Sequence, residues 1–237
     1  MTSSNKMRFN IIRLHSKCDD ISLYLHLVAI NTPPPFIRLI VENMNLNIEK
    51  SIYEEELKII SIEKANRLAI ILFGVLVIIL GLPFFIMHRE IFSVYFSNFE
   101  ILAFIKDCFS FILLFIIGIV LHELIHGLTW LPYIKGRFKN IRFGIIWKYL
   151  TPYCHCKVPL KVKHYIIGAM MPAIILGVIP TIIAFFTGSI MFFYLGVNFI
   201  VAASGDFLIT YMLRSEDGNN YVLDHDSLPG CTVYRLK

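Results

Sequence analysis

Phe109-Ser110-Phe111-Ile112-Leu113-Leu114-Phe115-Ile116-Ile117-Gly118-Ile119-Val120-Leu121-His122-Glu123-Leu124-Ile125-His126-Gly127 is the stretch that decides the fold. Residues 109–121 carry no ionisable group, and the pattern His-Glu-x-x-His follows at once. On a helix, residues four apart lie about 40° apart around the axis, so His122 and His126 share one face. Two imidazoles on one face can bind a single zinc ion, and Glu123, about 100° round, can reach a water beside it. The carboxylate would take a proton from that water, which is the chemistry of metal-assisted hydrolysis. The plainer alternative is a membrane-edge helix with polar residues at the water boundary. That explains one polar residue, but not three within five positions directly after Ile119-Val120-Leu121. Ionisable groups at membrane depth are costly and mark function.

Composition widens the same conclusion. The chain of 237 residues is 57% hydrophobic and 16% charged, with a mean hydropathy of +0.68. Soluble domains are about a quarter charged, so an integral membrane protein of one domain is expected. The formal charge is +5, yet no basic amphipathic helix or aromatic-basic interleaving points to nucleic acid. Cys18, Cys108, Cys154, Cys156 and Cys231 are odd in number and scattered, which is not a disulfide framework.

The expected fold class is mainly α: a polytopic membrane protein with four transmembrane helices and a small cytosolic β-hairpin between the second and third. Residues 1–43 form an N-terminal extension broken at Thr32-Pro33-Pro34-Pro35, without a signal-peptide pattern, and Met44 is a candidate start. Residues 44–66 read as a cytosolic lead-in, part helix or strand. Residues 67–214 form the four-helix membrane domain. The first helix is 68–87, without a charge and long enough for one bilayer core of about 30 Å. A short loop with the interfacial aromatics Phe92, Tyr95, Phe96 and Phe99 follows. The second helix starts near Ile101 or Cys108, since Lys106 and Asp107 interrupt the apolar run, and ends near Leu131. The third is about 164–186, where Pro172, Gly177 and Pro180 should bend it, and the fourth is about 190–213.

Residues 132–163 hold Lys135, Arg137, Lys139, Arg142, Lys148, Lys157, Lys161 and Lys163 and no Asp or Glu. Short basic loops stay in the cytoplasm, so this loop and both termini are expected there, in a multi-pass cell-membrane protein. Residues 141–150 are rich in β-formers and read as the hairpin, with Thr151-Pro152-Tyr153-Cys154-His155-Cys156 after it. Residues 215–237 read as a solvated cytosolic tail.

Catalytic zinc sites usually have three protein ligands, so two histidines leave one place open. Asp206 leads the candidates as the sole carboxylate of the third and fourth helices, with small residues Ala202, Ala203, Ser204 and Gly205 before it. The alternative is a hydrogen-bonded structural Asp. Ligand atoms about 2 Å from one ion lie about 3–4 Å apart, so its carboxylate should come within about 5 Å of both rings. Asn198, about two turns earlier, could orient substrate or a ligand, or could simply bridge helices. Cys154, His155 and Cys156 could contact substrate or bind a separate metal, although no partner Cys-x-x-Cys exists. His164 reads as interfacial; Asp224 and His225 could fold back over the site, although a solvated tail is the expectation.

His122-Glu123-x-x-His126-Gly127, Thr151 to Lys157, Gly168 to Pro172, Gly205-Asp206 and Asp224-His225 together resemble the bacterial zincin peptidase family, membrane proteins formerly grouped only as a domain of unknown function. The arrangement is also similar to site-2 protease-type intramembrane zinc metalloproteases. That resemblance implies His122, His126 and Asp206 as zinc ligands, Glu123 as base, and a peptide or membrane-protein substrate docked by a cytosol-side β-segment. In site-2 proteases the Asp precedes a Gly, whereas here Gly205 precedes Asp206. The expected activity is zinc-dependent peptide hydrolysis at the cytosolic edge of the bilayer. The alternatives are a non-hydrolytic membrane metal-binding or assembly protein and a metal transporter. A transporter should carry ionisable residues along a path through the bilayer, and here they gather at one end.

Overall fold

The structure, a computed structural model, describes residues 53–134, 137–147, 151–225 and 228–236. The 1–43 extension, the candidate start at Met44 and the hairpin tip at Lys148 lie outside these residues.

Strand β1 (Tyr53–Ile59) leads into helix α1 (Ile62–Met87), which passes through a π turn at Val77–Gly81. The helix starts before the apolar run because the Ser61 hydroxyl caps it, accepting from the Lys64 N–H at 3.4 Å. The loop expected after it is a further helix, α2 (Arg89–Ser97). Its aromatics recur at helical spacing and place Phe92 edge-on to Phe84, 6.0 Å between ring centroids.

Helix α3 (Ile101–Trp130) runs unbroken for 30 residues, about 45 Å of rise. Lys106 and Asp107 do not delay its start. The Asp107 carboxylate accepts from the Tyr95 hydroxyl of α2 at 3.2 Å. Strands β2 (Ile141–Ile146) and β3 (Thr151–Cys156) form an antiparallel hairpin pairing Ile141 with Cys156 and Ile146 with Thr151. The returning strand is therefore the Thr-Pro-Tyr-Cys-His-Cys segment itself, not the second half of 141–150.

Strand β4 (Leu160–Lys161) precedes helix α4 (Val162–Thr187). A π turn at Ala173–Val178 follows Pro172 and ends before Pro180, which sits at the first turn of the resumed α-helix, where its missing N–H costs nothing. The fourth apolar segment is the one that is broken. Helices α5 (Ile190–Ala202) and α6 (Ser204–Leu213) meet at 43° across Ala203. Among the described residues, three helices are long and apolar enough to cross a membrane, and four if the bent pair is one span.

The C-terminal segment is not a solvated tail. Strands β5 (Tyr221–Asp224) and β6 (Gly230–Leu236) join β1 and β4 in an antiparallel sheet of order β1-β6-β5-β4. Val222, Cys231 and Val233 turn inward onto Trp130, Tyr165 and Leu213, and these residues form the core beneath the sheet. Asp224 and Arg235 share that face, and Tyr221, Leu223, Thr232 and Tyr234 occupy the other. A second cluster, Phe84, Ala184, Phe193 and Val197, holds α1, α4 and α5 together.

Candidate metal centre

The last three turns of α3 carry His122, Glu123 and His126, and the first turn of α6 carries Asp206. The two rings share one helix face and lie 4.8 Å apart between centroids. One carboxylate faces both: Asp206 Oδ2 is 3.1 Å from His122 Nε2, and Asp206 Oδ1 is 3.4 Å from His126 Nε2. Both histidines are buried and Asp206 is partly buried.

The second nitrogen of His126 defines what the first can do. His126 Nδ1 lies 2.9 Å from the Gly168 carbonyl oxygen of α4. A carbonyl only accepts, so Nδ1 carries a proton, and a metal-binding lone pair would be at Nε2. That lone pair then faces a carboxylate oxygen at 3.4 Å. Two acceptors so placed repel unless a positive charge lies between them. His122 Nδ1 is buried with no hydrogen-bond partner among the described residues, a further polar atom left over at this point.

A metal ion fits this donor set. His122, His126 and Asp206 each offer one ligand atom, all within 4.8 Å of one another. Ligand atoms about 2 Å from one ion are about 3–4 Å apart, which the two His–Asp206 distances of 3.1 and 3.4 Å match. The Gly168 carbonyl is the type of partner that fixes a metal-binding imidazole.

Packing holds this arrangement in place. Trp130 stacks on His126 at 5.5 Å and on Tyr165 at 5.2 Å, and its indole N–H donates to the Tyr165 carbonyl at 3.2 Å. Gly168 is required for that approach: a Cβ there would lie 1.9 Å from Trp130 Nε1. Gly127 seats the hairpin in the same way, since its Cβ would lie 2.8 Å from Phe143 Cζ and 3.4 Å from Cys154 Sγ. The Glu123 carboxylate receives a hydrogen bond from the Cys154 backbone N–H. A cleft of about 470 Å³ opens beside these groups. The hairpin borders it through Ile145 and Pro152, and the β5–β6 turn through Leu228 and Pro229.

The other candidates are distributed differently. Cys154 and His155 line the cleft, while Cys156 is buried with its thiol 3.2 Å from the Val158 carbonyl. All three lie outside the metal-binding group. Burial pushes both thiols up, Cys156 to about 12, so they stay protonated near neutral pH. The Asn198 amide donates to Tyr194 on its own helix at 2.8 Å and lies outside the cleft lining. His164 stacks on Tyr133 at 3.9 Å.

Asp224, expected in a solvated tail with folding back over the site as the alternative, is at the site. It lines the cleft and accepts from the Cys156 N–H at 2.7 Å and from the Tyr165 hydroxyl at 2.6 Å. Burial pushes its carboxyl above the ordinary range, against the pull of those two donors. Its local signal was a short alternating run, Tyr221-Val222-Leu223-Asp224, inside a polar segment. His225 beside it also borders the cleft, and its Nδ1 accepts from the Leu228 N–H at 3.1 Å.

Comparison with known proteins adds one finding. No curated protein and no solved structure matches the chain. A family model described as "Putative zincin peptidase" matches residues 115–221, which include the His-Glu-x-x-His helix, the hairpin, Gly168 and Asp206. Over this segment, a little under half of its length, the chain is similar to the family that the description names.

Proposed function

We propose that the protein is a membrane-embedded zinc metallopeptidase that hydrolyses peptide bonds at the cytosolic edge of the bilayer. One observation carries the reading: the His126 lone pair and the Asp206 carboxylate oppose each other at 3.4 Å, with His122 at 3.1 Å from the same carboxylate. A metal ion between these groups would satisfy all three, and the similarity to a zincin family points to zinc. When bound, zinc supplies Lewis acidity toward the scissile carbonyl and acidifies water.

The residues of the chain divide the remaining work. His122, His126 and Asp206 are the ligands. Glu123, one residue from His122 and open to the cleft, takes the proton of the attacking water and returns it to the leaving amine. The Gly168 carbonyl holds the His126 ring in place. The hairpin edge offers backbone groups to an extended peptide, as a β-strand added to a sheet. The apolar helices support embedding in the membrane, and the basic stretch at 132–163 supports a cytosolic position for the site and both termini. A His-Glu-x-x-His helix joined by an Asp from a later helix is the arrangement of site-2 protease-type enzymes.

The test is Glu123→Gln, which keeps size and polarity but removes the proton acceptor. Zinc content should stay near wild type, and proteins that accumulate on the variant should be cut by the wild type at least about a hundredfold faster. Equal turnover by the two forms would leave a non-hydrolytic metal-binding or assembly protein as the better reading.

A further inference from the structure

Away from the metal centre, a second cleft of about 420 Å³ lies between α2, α3 and α5, within the size range of small-molecule sites. One face of α3 forms its floor. Phe104, Asp107, Cys108, Phe111 and Ile112 recur at the three- and four-residue spacing that puts side chains on a single helix stripe. Tyr95 of α2 and Met191 and Tyr194 of α5 form the walls. Phe104, Ile112 and Tyr194 are exposed, so the cleft is open on the flank of the helices.

This lining is apolar and aromatic except for one charge. Among the described residues the Asp107 carboxylate accepts from the neutral Tyr95 hydroxyl at 3.2 Å, and no ion pair includes it. Lys106 is next in sequence, but each residue of a helix turns the direction by about 100°, which places it on the side of α3 opposite the stripe. Asp107 precedes His122 by 15 residues, about 22 Å along the helix. With the metal centre at one edge of an apolar core about 30 Å thick, Asp107 lies in the far leaflet, near the level where headgroups meet chains. A carboxylate at that depth is costly without a cation beside it, and a hydroxyl does not supply one. The counter-charge therefore comes from outside the described chain. Water gains little in so apolar a cleft, whereas an acyl chain fills it. A phospholipid with an ethanolamine headgroup brings both parts: an ammonium with three N–H donors for the carboxylate, and chains for the cleft. An anionic phospholipid brings the same chains, but its charge repels Asp107.

We propose that this cleft is a binding site for a phospholipid with an ethanolamine headgroup, its ammonium held by Asp107 and one acyl chain lying along Phe104, Phe111 and Ile112. The proposal rests on the membrane-embedded part of the reading above and is independent of hydrolysis.

The experiment uses the full chain in detergent micelles, with phosphatidylethanolamine or phosphatidylglycerol of identical chains added. Cys108, exposed on the cleft floor, is the reporter. Its alkylation by a neutral maleimide is followed by peptide mass spectrometry, which reads it apart from the other cysteines. Phosphatidylethanolamine should protect Cys108 at a mole fraction about fivefold lower than phosphatidylglycerol, the upper end for one exposed ion pair. In Asp107→Asn, which keeps an acceptor for Tyr95, the two lipids should protect equally. Equal protection in wild type, protection by neither lipid, or wild-type selectivity persisting in Asp107→Asn would overturn the proposal. Embedding is checked separately. Membranes washed with alkaline carbonate should retain the chain, and its release would overturn the membrane reading whichever lipid protects Cys108.

Discussion

At the scale of single residues, the site turns on which atoms carry protons. The Gly168 carbonyl assigns a proton to His126 Nδ1, and the opposite nitrogen is left facing Asp206. Removing Asp206 takes away the only carboxylate among the described residues that reaches both rings, so Asp206→Ala should lose most of the bound zinc, and His122→Ala should do the same. Metal analysis of purified protein checks this. Cys154→Ser with Cys156→Ser should keep one zinc per chain, because those thiols are outside the ligand group and stay protonated. Retained zinc in Asp206→Ala combined with loss in the cysteine variant would reverse the ligand assignment.

At the scale of elements, the site is made by α3 meeting α4 and the hairpin at glycine. Gly168 lets the Trp130 indole lie against α4, and Gly127 lets β2 and β3 lie against α3. A methyl group at 168 would overlap Trp130 Nε1, so the indole must move and the stack on His126 with it. Gly168→Ala should then weaken zinc binding about 10–100-fold, the usual cost of disturbing what orients a metal-bound histidine. Competition with a chelator reads the change. Gly74→Ala on α1, where nothing lies within 4 Å of the new methyl, is the control and should leave affinity unaltered.

At the scale of the whole molecule, the four-stranded sheet closes the end of the helix bundle that carries the site. Beside the core residues, the same face of the sheet is tied by charge. Arg235 donates to Glu216 at 2.8 and 2.7 Å and to Glu56, and Lys58 lies 3.1 Å from Glu216. These cations, Arg235 foremost, hold the Glu216 carboxyl down at about 2. A carboxyl depressed in the fold contributes stability above its unfolded value and loses it as pH falls toward the folded one. Exchange protection of β1 and β6 should therefore drop between about pH 4.5 and about 2, and Glu216→Gln should flatten that drop. Asp224, raised by burial, acts with the opposite sign: its contribution is present at low pH and fades as pH rises through its folded value. Topology is a second test at this scale. Cysteine placed at exposed Lys157, with Cys108 replaced by serine, should resist an impermeant thiol reagent added to intact cells and react after lysis. Labelling from outside would overturn a cytosolic site.

What was legible in the sequence was whatever repeats over a few residues. His122, Glu123 and His126 could be placed on one face because helix geometry alone relates positions one and four apart. The apolar runs announced helices of spanning length, and 141–146 read as a strand from its β-formers. Local pattern also misled where a nonlocal partner intervened. Lys106 and Asp107 looked like an interruption until Tyr95 met Asp107, and residues 215–237 looked like a tail until β1 and β4 paired with them. Only the tertiary structure decided that one Asp206 carboxylate faces both rings, that the Gly168 carbonyl orients His126, and that Asp224 reaches Cys156. Each of these joins residues far apart in the chain. Their distances are set by how helices and sheet pack together, whereas the spacing of His122 and His126 is set by the backbone of a single helix.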